Sequence, residues 1–80
     1  MQKIRQDKGI GRNIRAMRLA SHMTQEQVVA KLQLAGWDVS RSIYSQMESG
    51  TYNIRVGELV ALKKIFGVEY DAFFEGLDDA

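Results

Sequence analysis

Four polar side chains in one short segment, residues 40–50, could recognise another molecule through directed hydrogen bonds. They are Arg41, Ser42, Ser45 and Gln46. If the segment is helical, they lie opposite a narrow apolar seam formed by Tyr44 and Met47. Arginine can donate two hydrogen bonds to guanine, glutamine can pair with adenine in the same way, and serine adapts to either. In isolation, however, the pattern more often marks an ordinary solvated helix face.

Catalytic chemistry has little support in this sequence. The chain has no cysteine, and its single histidine, His22, has no patterned carboxylate beside it, so no nucleophile, metal centre or acid pair is indicated. The four methionines are expected in the core or at the terminus rather than around a cofactor. We therefore expect no enzyme, no metal site, no cofactor and no small-molecule ligand.

The length and composition predict a single small domain. The chain has 80 residues, of which 45% are hydrophobic, and this suffices for one core. The lack of cysteine fits a reducing cytoplasm. The longest uninterrupted apolar run, residues 59–62, is far shorter than a membrane span requires, and the polar N-terminus does not resemble a secretory signal. We expect a cytoplasmic protein without membrane contact.

The charges are unevenly distributed along the chain. All eleven Lys and Arg residues, but only five of the ten acidic residues, precede residue 69, so residues 1–68 carry a formal charge of +6. The other five acids close the chain without a basic residue among them. This asymmetry is expected of a protein whose basic part contacts phosphate and whose acidic end points away from it. An ordinary solvated surface gives the same asymmetry about as often.

The elements that would position the polar face are helices. Ile10, Ile14 and Met17, at steps of four and three, lie on one helical stripe, which predicts helix 1 over about residues 8–21 with this stripe buried. A Thr-x-x-Gln capping box at Thr24 and Gln27 predicts that helix 2 begins at Gln25, and Gly36 offers a left-handed stop. Ser40 is a suitable N-cap for helix 3, which Gly50 would end.

Two further helices follow in the sequence. The run "VGELVALKKIFG" predicts helix 4, ended by Gly67. A last short helix is predicted at about residues 70–76. No strand-like alternation of useful length is present, so the prediction is all-α.

Four segments together resemble the Cro/repressor-type (XRE-type) helix-turn-helix domain. They are "IGRNIRAMR", "MTQEQVVAKL", "VSRSIYSQMESG" and "LVALKKIFGV", in the family's order, and the resemblance covers about residues 10–75. It implies a compact five-helix, lambda-repressor-like domain in which helices 2 and 3 form the helix-turn-helix. The expected division is an N-terminal arm (1–9), the DNA-binding domain (10–77) and an acidic tail (78–80).

The resemblance also implies roles for individual residues. In this family helix 2 crosses the DNA backbone while helix 3 enters the major groove. The implied base contacts are Arg41, Ser42, Ser45 and Gln46. The implied phosphate contacts are Gln25, Ser40, Tyr52, Asn53 and Arg55. Arg18 and Glu48 match positions at which the family commonly pairs an arginine of helix 1 with the glutamate that ends helix 3, a clamp for the reading helix.

The largest departure from the family pattern is a lengthened turn at residues 33–38. The common form has about one residue between the two helices, which fixes the angle between them. Gln33 to Ala35 can extend helix 2. Trp37 is the only tryptophan, and because its ring is large and apolar, we expect it to pack against the protein rather than lie in solvent. We therefore expect an anchored turn that leaves helix 3 in place. A second departure, at Ser49, Thr51 and Ile54 around the following loop, predicts fewer phosphate contacts.

The predicted function is sequence-specific binding of double-stranded DNA by a transcriptional regulator, most simply a repressor that binds a palindromic operator as a homodimer. The last helix is apolar on more than one side, so Phe74 is left for either the core or a dimer interface. The alternative is a helix-turn-helix-fold module that binds a protein, antitoxin-like or anti-repressor, without reading bases. Salt dependence of binding would separate the two.

Overall fold

A computed structural model describes residues 3–4 and 9–77 of the chain. In chain order the elements are strand β1 (Lys3–Ile4), helices α1 (Ile10–Ala20), α2 (Gln25–Leu34) and α3 (Arg41–Ser49), strand β2 (Ile54–Arg55), helix α4 (Val56–Phe66) and a 3-10 helix (Tyr70–Phe74). The predicted acidic tail, 78–80, and most of the predicted arm lie outside the described residues. Within residues 9–77, no helix is long and apolar enough to cross a membrane.

Local capping signals set the helix boundaries, as the sequence predicts. The Thr24 hydroxyl accepts a 3.1 Å hydrogen bond from the Gln27 backbone, and the Gln27 side chain accepts one of 2.8 Å from the Thr24 backbone. The predicted capping box of α2 is therefore confirmed. Ser40 caps α3 through the backbone N–H three residues on, and α3 and α4 end before Gly50 and Gly67.

The predicted count of five helices is not confirmed. The described residues form four α-helices, and the last predicted helix is a 3-10 helix of five residues. Its position is set from outside the segment, because the Asn13 side chain donates to the carbonyls of Phe73 (2.9 Å) and Glu75 (3.0 Å). A contact between residues sixty positions apart leaves no local pattern in the sequence.

The fold is mostly helical rather than purely so. β1 and β2 pair in antiparallel fashion, with Lys3 opposite Arg55 and Ile4 opposite Ile54. A two-residue ladder is too short to produce the alternation by which strands are predicted. It ties part of the predicted N-terminal arm to the loop in front of α4.

One apolar core joins all four α-helices and the 3-10 helix. Its fully enclosed members, less than 2% exposed, include Ile14, Val28, Leu32, Val39, Tyr44, Met47, Ile54, Leu62 and Phe73. Met17, predicted for the buried stripe of helix 1, is only partly buried at the edge of this core. The apolar side of α3 thus faces inward, and this fixes which of its residues face solvent.

The lengthened turn is anchored at its start. α2 runs on through Leu34, and Gly36, with a φ of 94°, reverses the chain. The backbone N–H of Trp37 donates to Leu32 (3.0 Å) and that of Gly36 to Gln33 (3.0 Å), the paired bonds of a Schellman motif. Gln33 and Leu34 therefore extend the helix, and the connection proper covers only the residues from Ala35 to Ser40.

The turn is also held at its middle and its end. The Trp37 ring packs against the core and lies so close to Gly57, in the first turn of α4, that a Cβ atom there would overlap the indole. The Gln33 side chain donates to the carbonyl of Val39 (3.1 Å), which is itself buried. The connection is packed rather than loose, as the sequence predicts.

Candidate functional site

The four residues expected to contact bases share one exposed face of α3. Arg41, Ser42, Ser45 and Gln46 are all exposed, whereas Tyr44 and Met47 are completely buried on the other side. This division follows from the helical period, because residues three and four apart lie on the same side of the helix. The exposed face presents one cation, one amide and two hydroxyls, which are groups suited to hydrogen bonding with base edges.

The C-terminal half of α3 is held to α1 by a buried ion pair. Arg18 Nε lies 2.6 Å from Glu48 Oε2, and Nη2 lies 3.2 Å from Oε1, so the pair is bidentate. The two side chains are only 10% and 4% exposed. Arg18 also donates from Nη1 to the carbonyl of Met23 (3.0 Å), which ties the turn after α1 to the same guanidinium.

Gln25, predicted to contact phosphate, belongs to this network. Its Nε2 donates to Glu48 Oε1 at 3.1 Å. The first residue of α2 therefore reaches the end of α3, and one carboxylate joins three helices. Because an amide nitrogen has two hydrogens, Gln25 retains a donor for a second partner.

Electrostatics of the buried network favour the charged pair. Burial acts to raise the pKa of Glu48, but the hydrogen bonds from Arg18 and Gln25, together with the nearby Tyr44 hydroxyl, outweigh it, and the pKa is lowered overall. Burial, followed by the adjacent carboxylate, raises the pKa of Tyr44. The Tyr44 hydroxyl lies near this carboxylate and makes no hydrogen bond with the described residues.

A close approach of backbones strengthens the seat of α3. A Cβ atom added at Gly11, in the first turn of α1, would lie 2.7 Å from the Glu48 carbonyl oxygen and closer still to that of Met47. Only glycine fits between the two helices at this crossing. Together with the ion pair, this contact fixes α3 against α1, and its exposed face is carried on a rigid support.

The loop residues predicted to meet phosphate are tied to α4. The Tyr52 hydroxyl donates to both carboxylate oxygens of Glu58 (3.1 and 3.2 Å), and the Arg55 backbone donates to the same group (2.9 Å). Burial, followed by the Glu58 carboxylate, raises the pKa of Tyr52 and keeps it a donor. Asn53 is exposed, and Ser40 is engaged as the cap of α3.

Two acidic residues at this site were not anticipated. Glu58 lies three residues after the N-cap Arg55, a spacing that could have suggested its bond back to the Arg55 backbone. Glu26 lies 3.5 Å from Arg41, and no local spacing predicts that contact, because it depends on how the lengthened turn returns. Among the described residues, no cluster of His, Asp or Glu side chains could hold a metal ion.

Comparison with known proteins gives a consistent picture. The family model described as helix-turn-helix matches residues 14–73. An HTH-type transcriptional regulator of Rickettsia conorii is 32% identical over 80 residues, which are 100% of this chain and 58% of the relative. The chain therefore spans little more than half the length of that curated relative.

Solved structures of restriction-modification controller proteins are similar in fold. C.Esp1396I matches with a TM-score of 0.69 and 26% identity over 90% of this chain and 88% of that one. The C.Esp1396I tetramer in complex with its natural 35 base-pair operator matches with a TM-score of 0.68, at the same identity and coverage. C.AhdI from Aeromonas hydrophila matches with a TM-score of 0.70 and 24% identity over 84% of this chain and 94% of that one, which shows the fold alone.

Proposed function

The chain belongs to the helix-turn-helix family of Cro/repressor (XRE) type, and on that premise we propose that it binds operator DNA and regulates transcription. The observation that carries the proposal is the exposed polar face of α3, set opposite a buried face and clamped to α1 through Arg18 and Glu48. A helix held in this way can enter the major groove as a rigid body. The operator complex of the similar controller protein C.Esp1396I supports the same partner class.

We assign base reading to Arg41, Ser42, Ser45 and Gln46, and backbone positioning to the residues around them. Gln25, Ser40, Tyr52, Asn53 and Arg55 are the proposed phosphate contacts. Asn53 and Arg55 are the better donors of the loop, because the Tyr52 hydroxyl already donates to Glu58.

The test of this function is a comparison of specific and random duplex. Arg41→Ala and Gln46→Ala should each weaken binding to a selected site by about 1 to 3 kcal/mol and relax preference at separate base pairs, with little effect on random DNA. Asn53→Ala is the matched control, because loss of a neutral contact to the DNA backbone should weaken binding to the selected site and to random duplex alike. Fluorescence anisotropy against selected and random duplexes measures all three.

The protein-docking alternative predicts different data. Binding through an apolar protein interface would show a shallow salt dependence, whereas release of counterions from phosphate gives a steep one. If no selected sequence outcompetes random duplex, and Arg41→Ala and Gln46→Ala are both silent, base reading is refuted. The same fold would then present its α3 face to a protein.

We further propose a symmetric homodimer that matches a palindromic operator. Phe74 is 45% exposed and Tyr70 42%, whereas Phe73 between them in the sequence is completely buried. Phe74 is therefore left over from the core, on an open groove that also includes Ala72 and Leu77. Pairing of this patch about a two-fold axis would cover it, and the tetrameric state of the C.Esp1396I complex supports assembly.

Phe74→Ser should convert the dimer to a monomer without unfolding it, since the ring contributes little to the core. Sedimentation velocity over a concentration series measures the change. Leu34→Ser is the control, because Leu34 is 88% exposed and lies at the end of α2. The dimer proposal is wrong if wild type sediments as a monomer both with and without DNA, or if Phe74→Ser leaves a wild-type dimer intact.

The remaining assignments follow from the DNA partner. We propose a regulator rather than an enzyme, most simply a repressor, which acts in the cytoplasm where its operator would be. Residues 10–77 are the proposed DNA-binding domain, with the arm at 1–9 and the tail at 78–80 flanking it. Pairing of Lys3 and Ile4 with β2 gives the arm one fixed point beside the proposed phosphate-binding loop.

A further inference from the structure

An exposed ion pair links the two helices of the helix-turn-helix at a residue proposed to read a base. Arg41 Nη1 lies 3.5 Å from Glu26 Oε2, and the two side chains are 63% and 65% exposed. Exposed pairs contribute little to stability, because water solvates both charges and two long side chains must be ordered. The importance of this pair lies in where it holds the guanidinium.

Both partners project from well-fixed backbone. Glu26 lies in the first turn of α2, which the capping box closes and which the bond from Gln25 to Glu48 ties to α3. Arg41 is the first residue of α3, directly after its N-cap Ser40. Two rigid helix starts thus bring one carboxylate to one guanidinium, although the residues are fifteen positions apart.

We propose that Glu26 is a positioning residue that determines specificity, because its carboxylate orients the Arg41 guanidinium toward guanine in the major groove. The proposal rests on the base-reading function of α3 given above. The contact uses Nη1, which leaves Nε and Nη2 as a paired edge for guanine O6 and N7. A guanidinium held on one side has fewer orientations available for a wrong base.

Charge gives the pair a second consequence. Arg41 is the only cation in α3, and the carboxylate beside it offsets that charge and repels phosphate. Arg41 therefore adds less to the affinity for DNA of any sequence than an isolated arginine would. At a guanine that accepts both hydrogen bonds, the affinity from those two bonds is kept in full. The pair thereby lowers general affinity more than specific affinity, which is one way for a protein to discriminate.

The variant Glu26→Gln removes the charge and keeps the size of the side chain. Its affinity for random duplex should rise about threefold at low salt, because a charge facing phosphate is lost. Preference at the base pair read by Arg41 should fall about fivefold. Competition titrations with the selected duplex, the same duplex with that guanine replaced, and random duplex measure both changes. Glu69→Gln, which removes an exposed charge after α4, should leave the preference unchanged.

The Arg41→Ala background distinguishes this inference from the proposed function. There, Glu26→Gln should leave base preference unaltered, because no guanidinium remains to be oriented. If Glu26→Gln keeps the full wild-type preference, or lowers it equally in both backgrounds, the inference is overturned. The proposed function then stands, provided that Arg41→Ala itself loses preference. If wild type selects no sequence at all, the proposed function fails and this inference fails with it.

Discussion

Replacement of Arg18 by methionine is expected to lower the free energy of unfolding by about 3 kcal/mol. This should be the largest loss caused by any single side chain at the contact between α1 and α3. Methionine fills much of the same space but removes both bonds to Glu48. The carboxylate would then stay buried, and among the described residues only the Gln25 amide would still donate a hydrogen bond to it. Most of the loss comes from leaving a buried charge without its counter-ion, because removal of both charges together would cost much less.

The coupling between the two residues is the sharper measurement. Arg18→Met with Glu48→Gln should recover much of the loss, because no uncompensated charge remains. Urea unfolding followed by circular dichroism gives all the free energies of this cycle. Arg15→Met is the matched control, since Arg15 is an exposed arginine of the same helix and should change stability by less than about 0.5 kcal/mol. If the two single losses simply add in the double variant, the clamp has no energetic meaning.

Acid unfolding gives an independent check on the same pair. The pKa of Glu48 is lower in the folded protein than in the unfolded chain, so its ionised form stabilises the fold above the ordinary glutamate pKa. This contribution is lost as the pH falls through the lowered pKa. Wild type should therefore lose more stability than Glu48→Gln between about pH 5 and pH 3.

Helix boundaries were predictable because the signals that set them are local. The capping box at Thr24, the N-cap Ser40 and the stop at Gly36 each depend on residues within four or five positions. The last helix was predicted with less success because apolar content does not distinguish a short α-helix from a 3-10 helix. The geometry of that segment depends instead on Asn13, which holds two of its carbonyls from α1.

For the candidate site, the sequence predicts which residues of α3 face solvent, but it does not predict the hydrogen bonds and ion pairs between helices. The alternation of exposed and buried positions along α3 follows from sequence periodicity, so the four residues fall together on one exposed face. Their assignment as base contacts comes from the resemblance to the family. Contacts between different helices do not follow from periodicity. The bond from Gln25 to Glu48 and the pair of Glu26 with Arg41 exist only once α2 and α3 are set at a definite angle. Residue spacing alone does not contain that angle when the turn between them is longer than usual.

The anchored turn leads to the second large effect. Trp37→Ala should lower the free energy of unfolding by about 2 to 3 kcal/mol, somewhat less than for a fully enclosed aromatic because the indole is only partly buried. The loss arises from the ring's contact with the core and with the first turn of α4 at Gly57. Chemical unfolding measures it. Leu34→Ala, at a residue three positions earlier that is 88% exposed, should have almost no effect.

The same contact can be tested from its other side, and there the sign of the effect is diagnostic. In wild type, Gly57→Ala should destabilise by about 1 to 3 kcal/mol, because the new methyl group would overlap the indole of Trp37. In the Trp37→Ala background, the same change should stabilise by up to about 1 kcal/mol, because alanine favours a helix over glycine once the space is empty.

A neutral Trp37→Ala, with indole emission typical of full exposure, would mean that the turn is loose. The clamp of Arg18 and Glu48 would then hold α3 without help from the turn, and base preference should survive the loss of Trp37. An anchored turn predicts that base preference falls with stability, because in the proposed function the angle between α2 and α3 sets where Arg41 would enter the groove.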